Sequence, residues 1–476
     1  MPTEVKSKAK KTMTKTSEKA EAPVSGRAIR WVILGVLVAR FLLTLLPSHK
    51  VDMGGYDYWS HYLANQGFKG FYETLWVVYG PAYMYLLLIS GKIAAWFQVS
   101  DLTHEFLIKS WAVFFEFAGG YLIYLTGKSL GKPKTGFWAA VIYVMNPAIF
   151  INSSIWGQFD SLVATILLSV VYCFCIKKPV YAAIIYFVSV MTKPQSIYLL
   201  PLVAYVFFFQ DFQWKKVFAS GFSAKEESKA YLKAYFNKDY WLKVLYGTIG
   251  ILAAWVALLL PFFITMDAAR GNPLKVMVDF FMWVPRHYLK YVNDYPYATA
   301  DAFNFWFLAG GQTVEDKLPF GGLTYAAWEK ILLAGLWIYA LWYLVKIKRN
   351  QFSLYYIAYV LGFGFFMFYG RMHERYLVPS LIFTFVIILW DAKLWIPTAI
   401  INGCALANQW YGYELAKKEI FWYAKDDPLG MTVSWISFIV MGYSFYYFYQ
   451  YAKKQNRNPK KHKTKANLAF RANGGG

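Results

Sequence analysis

Long apolar runs alternate with short polar connections along almost the whole chain, and the runs recur at the length that spans a hydrocarbon core. One run, residues 79–99 ("YGPAYMYLLLISGKIAAWFQV"), does not fit a simple count. If it crosses, the later Lys-rich connections fall outside, against the bias that keeps Lys and Arg on the cytoplasmic side. The segment opens on Gly-Pro and carries Gly91-Lys92 at its middle, so it is expected to rest along the outer leaflet. Spans are then predicted near 28–47, 107–126, 136–152, 160–176, 179–192, 195–209, 243–263, 323–345, 352–369, 376–390, 394–410 and 431–451. Both termini fall inside, together with "GKSLGKPKTG", Lys177-Lys178, residues 211–243, "VKIKRN" and "DAK".

The expected fold class is therefore an all-α polytopic membrane protein of about twelve transmembrane helices, with juxtamembrane helices in the first outer loop. Residues 1–27 and 452–476 are expected to be basic cytoplasmic tails, the first disordered because it has no apolar cluster. Residues 28–451 form one transmembrane domain, with 48–106 as its first extracytoplasmic loop. A hydrophobic share of 58% and an aromatic share of 21% over 476 residues agree with this reading. A net charge of +22 invites a nucleic-acid partner, but the basic residues lie in the tails and short connections, where membrane topology explains them. No nucleic acid is expected; the lipid bilayer is the partner. Cys173, Cys175 and Cys404 lie inside apolar runs without metal spacing and are packing residues. "TGKSLGK" at 126–132 lacks the leading glycine of a phosphate loop and is a hairpin.

The outside face collects the chemically distinctive phrases: 48–73, "WGQFD" at 156–160, "TKPQ" at 192–195, 291–306, and "GRMHERY" at 370–376. In the first, Gly54-Gly55 suggest a tight turn before an amphipathic helix. Asp52 is the candidate base there, and Asp57 a second carboxylate better placed as a helix cap. Trp156, Gln158 and Asp160 offer an aromatic face, an amide and a carboxylate, the combination that a sugar's CH faces and hydroxyls require. Lys193 stands between two apolar half-segments and needs an anionic partner; Gln195 opens the next helix. Arg371 and Arg375 with His373 suit a phosphate, with Glu374 to orient one of them. Asn293, Asp294 and Asn304 could add polar contacts, and Glu116 is an intramembrane acid with no obvious partner.

The phrases "VDMGGYDYWSHYLANQG", "NPAIFINSSIWGQFDS", "TKPQSIYLLP", "DAFNFW" and "MHERYLVPSL", in this order over residues 28–390, resemble the Gpi18-like mannosyltransferases of bacteria. That family is a branch of the GT-C fold of membrane glycosyltransferases. The order around "WGQFDS" is also similar to the oligosaccharyltransferase catalytic subunit, another GT-C member. The resemblance implies inverting transfer of a hexose, mannose in this family, from a polyprenyl-phosphate sugar to a glycan or glycolipid acceptor outside the cytoplasm. An acid in the first outer loop is the base of such enzymes, which maps onto Asp52. One departure is Tyr79-Gly80-Pro81, where relatives usually carry an acid before the tyrosine. Chemically, such an enzyme must hold an anion at the interface and deprotonate a hydroxyl opposite it. Lys193, Arg371 and Arg375 would clamp the phosphate, Trp156, Gln158 and Asp160 the sugar, and Asp52 would activate the acceptor. No metal cofactor is expected; a divalent cation enters only if Asp52 and Asp160 converge. A polysaccharide polymerase or oligosaccharyltransferase-like enzyme is the nearer alternative. A secondary transporter is the alternative from another class, although no internal repeat is visible.

Overall fold

The computed structural model describes residues 21–22, 25–217, 222–292, 294–346 and 350–457. Residues 1–20 and 458–476, most of the two expected tails, and Asn293 lie outside the described residues. The helices of ten or more residues are α1 Gly26–Leu43, α2 Lys50–Gln66, α3 Pro81–Phe97, α4 Asp101–Ser129, α5 Pro133–Val144 and α6 Asp160–Cys175. They continue with α7 Pro179–Thr192, α8 Leu200–Phe209, α9 Phe222–Tyr235, α10 Lys238–Phe263 and α11 Pro273–Val292. The last are α12 Tyr325–Lys346, α13 Gln351–Phe368, α14 Val378–Ile387, α15 Trp395–Ala416 and α16 Pro428–Arg457. Among the described residues the one strand pair is Pro319–Phe320 against Leu323–Thr324, antiparallel with Pro319 opposite Thr324.

Each predicted span coincides with helix. Five helices, α4, α10, α12, α13 and α16, are long and apolar enough to cross a membrane, and a sixth crossing results if α5 and the bent segment Pro147–Trp156 count as one. The other apolar helices are shorter, and α1 carries Arg27, Arg30 and Arg40. The last helix runs to Arg457, past residue 451 where the domain was expected to end, and α1 already begins at Gly26.

Helix α13 is buried along nearly its whole length, as is α14, so these two form the centre of the bundle. Two sets of helix ends result. At one end, Glu21 binds the turn at Gly131 and Thr135, Lys132 donates to the Leu389 carbonyl, Tyr447 donates to Asp391, and Asn350 donates to Tyr451. Helices α4 and α13 run from this end to the other, where the polar phrases meet. The basic "GKPKTG" hairpin and the carboxylate of Glu21 thus share one end, and the "WGQFD" and "GRMHERY" phrases the other.

The segment 48–73 differs from the expected turn and helix. Helix α2 starts at Lys50 and runs straight through Gly54 and Gly55, with His49 as its N-cap accepting from the Asp52 amide. Glycine costs a helix about 1 kcal/mol relative to alanine, but Met53, Tyr56, Ser60 and Leu63 form a buried stripe at helical spacing that offsets it. That stripe packs on α3. Ser60 donates to the Leu87 carbonyl at 2.7 Å, Lys92 donates to the Ala64 carbonyl at 2.7 Å, and the Tyr83 ring stacks on Phe159 at 3.7 Å. Gly91 makes this approach possible, because a Cβ there would lie 2.3 Å from the Ser60 carbonyl oxygen. Gly91→Ala should separate α2 from α3 and lower stability by about 1–3 kcal/mol, read as a lower Tm of the purified protein in detergent.

Candidate functional site

The site assembles from three distant stretches. The first turn of α2 brings Asp52. The segment Pro147–Trp156, which widens into a π-helical turn from Ile151 to Trp156, brings Trp156, and the chain between α13 and α14 brings Arg375. The π turn ends at Gly157 with φ 94°, and a side chain there would also strike Met53, its Cβ lying 2.4 Å from Cε. Only glycine lets the chain turn back at this point.

Trp156 Nε1 donates to Asp52 Oδ2 at 2.6 Å, and an Arg375 terminal nitrogen lies 3.9 Å from Asp52 Oδ1. His49 stacks on the indole at 4.7 Å and the Arg375 guanidinium lies 5.6 Å from its ring centre. Burial by itself would raise the Asp52 carboxyl, but Arg375, His49 and the indole N–H outweigh it and hold the group below its ordinary range. Asp52 is therefore an ionised carboxylate, 22% exposed.

Arg375 also donates to Glu374 Oε1 at 2.5 Å. Burial raises the Glu374 carboxyl in spite of that neighbour. His373 packs edge-on against Tyr295 and Tyr376. Burial first, and then the positive charge of Arg375, push His373 down to about 3, so at neutral pH it carries no charge. Without a bound anion, therefore, His373 is not a third cation beside Arg371 and Arg375, where the sequence pattern suggests one.

Lys193 and Arg371 are also placed otherwise than expected. Lys193 forms an ion pair with Asp160, both fully buried, and its ammonium lies over the rings of Tyr79, Phe159 and Tyr376 at 5.4, 5.1 and 5.2 Å. Asn152 donates to the other Asp160 oxygen at 3.1 Å. The expected anionic partner of Lys193 is thus internal, and the pair fixes the "WGQFD" turn against the start of the Pro194–Leu199 turn. Arg371, at φ 60°, binds Asp316 through Nε at 2.9 Å and through a terminal nitrogen at 2.5 Å, and also the Val292 carbonyl. Its charge is matched within the 291–324 segment.

The candidate sugar contacts are buried. Trp156 is 3% exposed, Gln158 and Asp160 are inaccessible, and Gln158 accepts from Tyr56 at 2.9 Å. Gln195 keeps its side-chain oxygen buried without a partner in the structure. Asn304 is structural: it caps the short helix Phe305–Leu308 and donates to the Phe366 carbonyl at 3.1 Å. Asp294 accepts from Trp76 at 2.9 Å. Asp57 is no cap, since α2 begins seven positions earlier; it bonds to His104 at 2.7 Å on a different face from Asp52. Asp52 and Asp160 belong to no group of three or more potential metal ligands among the described residues.

Some residues at the site escaped the sequence reading. His49 and Tyr295 line it, and Asp301 stands beside it at φ 68°, bonded to Gln312 and the Tyr423 amide. Burial and the nearby Glu374 push the Asp301 carboxyl up to about 7. Lys109 is buried and donates to the Thr44 and Leu46 carbonyls beyond α1. Glu116 does have a partner, Arg40, which also donates to Ser153 and Ser154. The visible clue was an arginine in the first apolar run, the complement of the acid in the second.

No protein-family model matches this chain, and no curated protein matches it.

Proposed function

We propose that the protein is a membrane glycosyltransferase of GT-C architecture. In this reading it transfers a hexose, mannose by the resemblance, from a polyprenyl-phosphate carrier to a glycan or glycolipid acceptor outside the cytoplasm, with inversion. The helices cross the cell membrane twelve times, α3 rests on the outer leaflet and both termini are cytoplasmic.

The observation that carries the proposal is the meeting of Asp52 and Arg375 against Trp156. An ionised carboxylate and a desolvated guanidinium, each supplied by a separate part of the chain, lie within reach of one substrate. Asp52 takes the proton of the acceptor hydroxyl as its oxygen bonds to the anomeric carbon; the carbon–oxygen bond to the phosphate breaks, and its charge develops beside Arg375. A phosphate bound to Arg375 also draws that cation away from Asp52, which makes the carboxylate a stronger base. Lys193 and Asp160, neutralised by each other, hold the aromatic floor in place and do not bind substrate. A metal is not required by this scheme.

The test is transfer by the purified protein from a panel of labelled polyprenyl-phosphate hexoses to a membrane lipid extract. Release of polyprenyl phosphate with label in an acceptor is expected for at least one donor. Arg375→Ala should lower kcat/KM by about 10²-fold, the loss seen when one charge-stabilising donor is removed. Failure of every donor in the panel, or an Arg375→Ala enzyme as active as wild type, would end this reading.

A further inference from the structure

Helix α2 carries a second polar group away from Asp52. Asp57 and His61 are four residues apart and so share a helix face. His104, from the first turn of α4, meets them there, and the ligand-capable atoms of the three all lie within 4.8 Å of one another. His104 is 1% exposed and Asp57 39%, while His61 is open to solvent and its ring stacks on that of His104 at 4.4 Å.

Ser60 fixes the protonation of His104. Its hydroxyl lies 2.7 Å from the Leu87 carbonyl, which can only accept, and 2.9 Å from His104 Nε2. The hydroxyl proton goes to the carbonyl, so Nε2 must donate to Ser60. In a neutral imidazole Nδ1 then bears a lone pair, and it stands 2.7 Å from Asp57 Oδ1, which bears another. Two acceptors this close need a cation shared between them, an added proton or a metal ion. His61 brings a third ligand-capable atom within 4.8 Å of the other two, which a proton has no use for. The Nε2–H contact to Ser60 is also the outer bond that orients metal-bound histidines.

We propose that Asp57, His61 and His104 form a binding site for a zinc-type divalent cation. Two imidazoles and one carboxylate are a donor set that Zn²⁺ takes at about 2.0–2.2 Å. The exposure of His61 and Asp57 leaves the fourth position to water. The ion ties α2 to α4 and so holds the helix whose first turn carries Asp52. This is a positioning role, and the site stands whether or not the protein transfers sugar.

The experiment is calorimetric titration of tag-free, chelator-treated protein in detergent with ZnCl₂ alone. One equivalent should bind and raise Tm, and His61→Ala, a change at an exposed position that leaves the fold intact, should weaken zinc binding at least tenfold. His104→Ala should do the same; if that buried substitution prevents folding, His61→Ala carries the test alone. Wild-type protein that takes up no stoichiometric zinc would overturn the proposal. His61→Ala protein that binds zinc as tightly as wild type would overturn it equally.

Discussion

Asp52→Asn should remove sugar transfer almost completely, by about 10²–10⁴-fold, the range for loss of a general base, while expression and Tm stay near wild type. The amide keeps the shape and can still accept from Trp156 Nε1, which now donates to the carboxylate at 2.6 Å. It cannot take a proton. The pH profile separates a base from a merely structural acid. In the free protein the carboxyl is held below its ordinary value of 3.8, so, on the proposed function, the acid limb of kcat/KM that it sets should lie below that pH. Arg375→Ala removes the cation that contributes most to this depression, and the residual activity should show the limb moved to higher pH. Retained transfer in Asp52→Asn would place the base elsewhere. Asp57 and Asp160, two other carboxylates of these phrases, are tied to His104 and Lys193.

The largest effect on stability is expected at the pair between α1 and α4. Arg40 and Glu116 are both inaccessible to solvent and form an ion pair; Arg40 further donates to Ser154 at 2.8 Å and Ser153 at 3.0 Å, and Ser161 donates to Glu116 at 2.8 Å. Glu116→Ala leaves a buried guanidinium with two hydroxyls and no counter-charge, which costs about 3–5 kcal/mol. A strongly lowered Tm in detergent, or loss of folded protein, is the expected readout. Replacing both partners with apolar residues, Arg40→Met with Glu116→Leu, removes the uncompensated charge and should recover most of that loss. The double variant should be more stable than Glu116→Ala alone; equal or lower stability would show that the pair itself, not the orphaned charge, dominates.

The same pair shows how far the sequence could be read. A lone acid in one apolar run and a lone arginine in another mark both groups as needing partners, because an unpaired charge at that depth costs roughly 2.5–3.5 kcal/mol. The pattern does not say which charge meets which. The pattern leaves Glu116 without a partner for that reason, and points Lys193 to a ligand's phosphate with Asp160 only 33 positions away. The two glycines at 54 and 55 misled in the other direction. Their local preference for a turn is outweighed by a buried stripe on α2 that gains its value only when α3 lies against it.

Composition and periodicity alone determined that this chain is almost wholly α-helical, with several helices long and apolar enough to cross a membrane. They also fixed where its apolar helices run and that its polar phrases gather at one set of helix ends. Those properties are local, since each depends on a few consecutive residues and the solvent they prefer. Only the tertiary structure decided which of the gathered charges cancel each other and which remain for chemistry. It closed Lys193 onto Asp160 and Arg371 onto Asp316, left His373 neutral, and set Asp52 beside Arg375 on Trp156. Coulomb energy and desolvation depend on distance and burial, and residues 52, 156 and 375 acquire both only when the helices between them have packed.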